Sequence, residues 1–265
     1  VSDLGLLAGK GELPLEFLKS AKESGYSVTV FALEGIASPS VEEYSGNVFW
    51  IKPFKLGKFL SLLKKSEVKR LAILGKVEHK SALSLKGFDL KALSFILSLE
   101  NRKPETIIRG IIEEIEKSGV EVIDPTPFLS HLLQPSGILT GSLDEGLKRD
   151  IELGMKVAKE IASLDVGQTV VVKDGTVVAV EGIEGTDECI KRGAELSGVG
   201  FVVCKAARRR QDMRIDVPTV GKNTVELIGS LGGKALVFEA GKTYLVGKEK
   251  VISSARRFNV TVVGV

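Results

Sequence analysis

Short apolar runs at residues 4–8, 28–33, 47–51, 71–74 and 120–123 recur through the first half of the chain, separated by stretches with helical spacing. The first such stretch, 15–23, places Leu15, Phe17, Leu18 and Ala21 on one side. Another is marked by Leu60, Leu62 and Leu63, and two more span 90–99 and 105–117. Strands that alternate with helices are joined by crossovers, and crossovers make neighbouring strands parallel. The pattern therefore predicts an α/β protein whose N-terminal, Rossmann-like domain holds a mostly parallel sheet covered on both faces.

Asp124-Pro125-Thr126-Pro127 interrupts this rhythm and is the boundary candidate, giving domains 1–126 and 127–265. Beyond it the spacing of Leu147, Ile151, Met155, Ala158 and Ile161 predicts a long helix over 144–164. A hairpin follows, 169–172 and 177–180 about the turn Lys173-Asp174-Gly175-Thr176. A helix over 187–196, a strand over 200–204, a helix near 224–230 and three closing strands complete a mixed α/β domain. No internal repeat is visible.

Composition excludes several classes. The formal charge is only +3, and the basic excess is local, which argues against nucleic acid as a partner. No apolar run approaches the roughly 20 residues of a membrane span, and Val-Ser-Asp-Leu-Gly-Leu-Leu reads as a strand entry, not a signal peptide. Two cysteines, Cys189 and Cys204, and two histidines, His79 and His131, leave little for a zinc centre or a Ser-His-Asp triad. A reducing cytoplasm is expected, and any metal chemistry must use oxygen ligands, favouring Mg²⁺ or Mn²⁺.

The chemistry concentrates at 205–224. Asp212 and Asp216 lie there among Lys205, Arg208, Arg209, Arg210 and Arg214. If 214–217 is extended, alternation puts Asp212, Arg214 and Asp216 on one face and turns Met213 and Ile215 towards a core. Guanidinium groups grip phosphate oxygens, while carboxylates hold Mg²⁺ or orient a water; a solvated charged strand is the alternative. Ala8-Gly9-Lys10-Gly11-Glu12-Leu13-Pro14 opens the first helix, with Pro14 where a dinucleotide fingerprint wants a third glycine. It is either a phosphate loop or a plain tight turn. Gly75-Lys76 ends a predicted strand, where open α/β sheets bind ligands, although a surface lysine would also fit. In Glu181-Gly182-Ile183-Glu184-Gly185-Thr186-Asp187, helix capping accounts for Thr186 and Asp187 but not for the further carboxylates and glycines. Trp50 reads as packed against a sheet and His79 as solvated.

Taken in order, the segments at 8–14, 75–77, Leu-Asp-Val-Gly-Gln at 164–168, 179–187 and Gln-Asp-Met-Arg-Ile-Asp-Val-Pro-Thr-Val-Gly at 211–221, with Thr224, resemble one family over nearly the whole chain. It is the cytoplasmic UDP-2,3-diacylglucosamine diphosphatases of lipid A biosynthesis, the class with a fold of its own. The resemblance implies two domains, a homodimer, and Mg²⁺-dependent hydrolysis of a nucleotide-sugar lipid to UMP and 2,3-diacylglucosamine 1-phosphate. A lipid substrate further implies peripheral contact with the inner membrane face. Asp212 and Asp216 would bind metal or position water, with Asp187 as a further metal ligand. Lys205, Arg208 and Arg214 would neutralise the diphosphate. Gly9, Lys10, Gly11, Lys76, Glu184, Thr186, Gln211 and Thr224 would complete the substrate contacts. The family's Gly-Asp-Asp motif is replaced by Lys103-Pro104-Glu105-Thr106 ahead of Arg109, and Arg209-Arg210 replaces a Pro-containing pair. A hydrolase for another nucleotide-linked substrate and a non-catalytic nucleotide- or lipid-binding relative stay open beside the leading expectation.

Overall fold

A computed structural model describes residues 3–76, 87–101, 104–208, 212–215 and 217–265, and the chain separates into two compact units. The first comprises the residues up to Leu129 together with Met213–Ile215; the second comprises Ser130–Asp212 and the residues after 215.

The first unit is built on five strands: β1 (Leu4–Ala8), β2 (Val28–Leu33), β3 (Val48–Ile51), β4 (Arg70–Leu74) and β5 (Glu121–Val122). All pairings are parallel and the order is β3-β2-β1-β4-β5. Helix α1 (Leu13–Glu23) starts with Pro14 in its first turn, where a missing N–H costs nothing, and buries Phe17, Leu18 and Ala21. Helices α2 (Leu56–Lys65), α3 (Leu90–Ser98) and α4 (Pro104–Lys117) contribute Phe59, Leu63, Phe95, Ile96, Ile112 and Ile115 to a core with Phe31 and Leu71. Short helix α5 (Thr126–Leu129) meets α1 through an edge-to-face contact of Phe128 with Phe17 at 4.9 Å.

The second unit contains a six-stranded mixed sheet. Its strands are β6 (Gly137–Thr140), β7 (Thr169–Lys173), β8 (Thr176–Val180), β9 (Val202–Lys205), β11 (Ala235–Phe238) and β13 (Thr261–Gly264). They are arranged β6-β13-β11-β9-β7-β8, with β13, β11 and β9 mutually parallel and the remaining pairings antiparallel. Side-chain alternation sorts the two faces. Val170, Val172, Val202, Cys204 and Val237 meet α6 (Glu145–Ser163) through Ile151, Met155 and Ala158. Val171, Val203, Leu236 and Val262 meet α7 (Thr186–Ser197), α8 (Lys222–Ser230) and α9 (Lys248–Phe258). The expected fold class, a mostly parallel N-terminal sheet followed by mixed α/β, is the one observed.

Local expectations fared unevenly. The hairpin forms, and the buried Asp150 carboxylate accepts the turn amides of Asp174 and Gly175 at 3.1 and 2.6 Å. The three closing strands are present, but β12 (Tyr244–Val246) leaves the main sheet to pair with β10 (Thr219–Gly221), and α9 stands between the last two. The extended conformation expected from Arg214 does not form: Met213–Ile215 is a turn, and Ile215 packs into the first unit's core. Its burial outweighs the β preference of the surrounding residues. Trp50 donates its indole N–H to Glu42 Oε1 at 2.7 Å. His79 lies outside the described residues.

Glycines in α6 and α7 let helix backbone approach the sheet. A Cβ at Gly154 would stand 2.4 Å from Cys204 Sγ, and one at Gly193 would stand 2.7 Å from a Val171 methyl. Alanine is the better helix former by about 1 kcal/mol, but overpacking a filled core costs about 1–3 kcal/mol. Gly154→Ala is therefore expected to lower stability in urea denaturation, and to lower it less in a Cys204→Ala background. Stabilisation by Gly154→Ala alone would disprove the close approach.

Candidate active site

In the first unit the sheet order reverses between β1 and β4, the position at which open α/β sheets ordinarily bind ligands at the strands' carboxyl ends. Gly9-Lys10 and Gly75-Lys76 leave the sheet at this point, and each loop holds the other. Gly9 N–H donates to Leu74 O at 2.8 Å, Lys10 N–H to Lys76 O at 2.9 Å, and Lys76 N–H to Lys10 O at 2.9 Å. Gly75 adopts φ +96°, and a Cβ there would lie 2.6 Å from the Gly9 carbonyl carbon. The structure thus brings together Gly9, Lys10 and Lys76, three residues singled out from the sequence. It also commits the Gly9 and Lys10 amides to the neighbouring loop, leaving anion affinity to Gly11, the start of α1 and the lysine side chains. Gly11 has φ +116° and open space where a side chain would stand.

The second unit gathers its polar residues at the carboxyl end of β9. Lys205 ends that strand with only 8% of its surface exposed. Its ammonium donates to Thr186 Oγ1 at 3.0 Å, and the Thr186 hydroxyl donates to Glu181 Oε1 at 3.0 Å. Glu181 Oε2 accepts the Gln168 amide at 3.1 Å, while Gln168 O accepts the amide of Ala206. This last circuit needs the 164–168 loop to lie against the end of β8. Gly167 permits it, since a Cβ there would fall 2.2 Å from Glu181 O. On the other flank the buried Glu239, just after β11, accepts Ala207 N–H at 2.9 Å and the Lys242 ammonium at 2.8 Å. Burial alone would raise the Glu239 carboxyl, but Lys242 and the Ala207 amide hold it below the usual carboxylate range. Arg208 follows, ion-paired with Asp165 at 2.7 Å.

Thr186 and Asp187 begin α7, whose N-cap is Gly185 at φ 85° with no side-chain cap. Thr186 is therefore spent on Lys205 and Glu181, and Asp187 is exposed beside the positive end of the helix dipole. Glu184 is drawn elsewhere. Its carboxylate takes the Arg192 guanidinium at 2.6 Å and the Gly182 amide at 3.0 Å, and the Arg192 hydrogen bond holds its pKa below the usual range. Arg214 donates to Glu116 of α4 at 3.4 Å, and because Met213–Ile215 is a turn, strand alternation does not set Asp212 and Arg214 on one face. Thr224 sits half-buried in the first turn of α8, and Asp212 is half-buried just ahead of the turn. Asp216 and Gln211 lie outside the described residues. Both thiols are buried and their pKa values raised by desolvation, that of Cys189 to about 12, which removes them as nucleophiles.

Glu181, Gln168 and Glu239 were not assigned from sequence. Glu181 and Glu239 share a signal: each is a carboxylate immediately after an apolar strand. Gln168 immediately precedes such a strand whose direction is opposite, which brings it to the same edge.

The model of the LpxI N-terminal domain matches residues 3–132 and that of the LpxI C-terminal domain matches residues 135–263. A curated relative, the UDP-2,3-diacylglucosamine pyrophosphatase LpxI of Caulobacter vibrioides, is 32% identical over 275 residues, spanning 99% of this chain and 97% of its own. Solved structures are distant. The biotin carboxylase subunit of a pyruvate carboxylase is 13% identical, with 77% of this chain matched to 38% of that one at a TM-score of 0.28. An isoflavone reductase is 10% identical, with 100% of this chain matched to 78% of that one at 0.32. Likeness at those scores carries no argument. The two domain matches and the full-length relative do: the chain belongs to the LpxI family.

Proposed function

We propose that the protein hydrolyses the pyrophosphate bond of UDP-2,3-diacylglucosamine, releasing UMP and 2,3-diacylglucosamine 1-phosphate, and that it acts as a homodimer. The observation that carries this reading is the Lys205–Thr186–Glu181 array at the carboxyl end of β9. An ammonium at the end of a strand, beside a hydroxyl that a carboxylate orients, is a group that can bind anionic oxygen. The adjoining α7 N-terminus adds a partial positive charge, and Arg208 adds a guanidinium that can exchange Asp165 for a phosphate. Arg214 would likewise exchange its long, partly exposed contact with Glu116. Water oxygen bonds to phosphorus while the bridging P–O bond breaks, so the charge to be stabilised lies on the phosphoryl oxygens and the departing phosphate.

Mg²⁺ is the metal of this reading because the candidate ligands are carboxylates. Among the described residues no three His, Cys, Asp or Glu side chains gather as a metal-binding group. Mg²⁺ asks for less, commonly one or two carboxylates plus substrate phosphates and waters. Asp212 and Asp216 would hold it, with Asp187 as the further candidate. When bound, the ion would neutralise phosphoryl charge and lower the pKa of a coordinated water. Gly9, Lys10, Gly11 and Lys76 of the first unit, and Glu184, Gln211 and Thr224 of the second, are the remaining substrate contacts in this reading.

The acyl chains have a counterpart in exposed apolar residues on the two loops that meet at Gly167 and Glu181. Leu164, Val166 and Ile183 are 72%, 52% and 105% exposed. No helix among the described residues is long and apolar enough to cross a membrane; in this reading the exposed Leu164, Val166 and Ile183 meet the bilayer that supplies the lipid peripherally.

Asp212→Ala and Asp216→Ala are each expected to cut Mg²⁺-dependent UMP release at least about a hundredfold; full activity in both would remove this cluster from the chemistry. Thr186→Val should lower kcat/KM by roughly tenfold to a hundredfold, because it strips the hydroxyl from both Lys205 and Glu181, while Thr186→Ser should retain most activity. Ile183→Asp should raise KM for the diacylated substrate about tenfold, leaving turnover of a soluble UDP-sugar, if any is measurable, unchanged. Comparable cleavage of acylated and unacylated UDP-sugars by the wild type would place the substrate outside lipid chemistry.

A further inference from the structure

Helix α9 carries Glu249, Ile252, Ser253 and Arg256 on a single exposed face, three and four residues apart. Ile252 also lines an adjoining groove with Pro135, Gly137, Ile138, Leu139 and Lys248. That groove runs beside β6, which is the outermost strand of its sheet and exposes half of Ile138. Glu249 and Arg256 make no ion pair among the described residues. The helix dipole accounts for an acid near the start of α9 and a base near its end. It does not account for their sharing one stripe with a partly buried isoleucine midway between them.

That stripe is complementary to itself. The midpoint between positions 249 and 256 falls between Ile252 and Ser253. A two-fold axis through that point, with the helices antiparallel, sets each Glu249 opposite the second copy's Arg256 and brings the two Ile252 side chains together. The dipoles of antiparallel neighbours also attract. Exposed edge strands are ordinarily blunted by charge, proline or a covering element. Here β6 reads Gly-Ile-Leu-Thr with neither charge nor proline within it, and its edge is limited by being only four residues long and by the register shift at Val262–Val263. We propose that a second copy of this chain docks on the α9–β6 face, with the two-fold axis between Ile252 and Ser253. The proposal gives a surface to the homodimer of the preceding reading and does not depend on the substrate assigned there. The face lies three strands away from Lys205 in the sheet order, so assembly leaves the candidate site of each copy uncovered by this contact.

Sedimentation velocity on the full chain tests it. Wild type is expected to dimerise, and Glu249→Arg and Arg256→Glu, each placing like charges opposite one another at both contacts, should weaken dimerisation at least about tenfold. The two variants mixed in equal amounts should recover a heterodimer. The introduced arginine of one copy then meets the introduced glutamate of the other, and the native pair forms at the second contact. The double variant Glu249→Arg/Arg256→Glu should recover a homodimer, which also shows that the single variants are folded. A wild type that stays monomeric would overturn the homodimer itself. A wild-type dimer undisturbed by both single variants would overturn this face alone, and single variants that dissociate but fail to pair on mixing would overturn the two-fold register.

Discussion

A buried ammonium group must be met by oxygen, and the second unit is organised around meeting that of Lys205. Its position is inescapable, because it terminates a central parallel strand whose preceding residues, Val202 to Cys204, are fully enclosed. Thr186 supplies the first oxygen, and the direction of its hydroxyl is set by Glu181. Glu181 in turn is held by the Gln168 amide, which reaches it only because Gly167 has no side chain. One desolvated charge thereby fixes three separate chain segments: the loop before β7, the end of β8 and the start of α7. Each would otherwise be an independent surface loop.

The two units share a logic without sharing a topology. In both, the candidate residues gather at the carboxyl ends of strands, close to where helices α1 and α7 start. The first unit knits two strand ends together by main-chain hydrogen bonds. The second uses side chains for the same purpose, with Glu239 pinning Ala207 as Glu181 pins Gln168. If ligands bind at these edges as proposed, they meet loops already ordered, and less conformational entropy is lost on binding.

Much of this was legible in the residues. Alternation of β-branched runs with helical spacing gave the parallel sheet and put the glycine loops at strand ends, while the strand order that makes β1 and β4 neighbours came only with the fold. What escaped was of two kinds. Helix α9 hides because its inward face mixes Val251, Ala255 and Phe258 with the buried polar Ser254 in a highly charged segment. The turn at Met213–Ile215 hides because β preference describes fit to a pleated surface, whereas Ile215 was captured by a core more than 80 residues away in sequence. Partnerships such as Glu184 with Arg192 depend on helix phase and rotamer, and composition of the motif alone does not show which carboxylate will be occupied.

The two cysteines divide the second unit in a way that matters beyond packing. Cys189 belongs to the cluster on one face of the six-stranded sheet and Cys204 to the cluster on the other. Both are enclosed, and burial keeps both thiols protonated. A thiol reagent can therefore reach either one only during an opening of the helix layer that covers it. The rate of labelling at each sulfur is a separate clock for its own layer, so a single unmodified chain reports which side of the sheet loosens first.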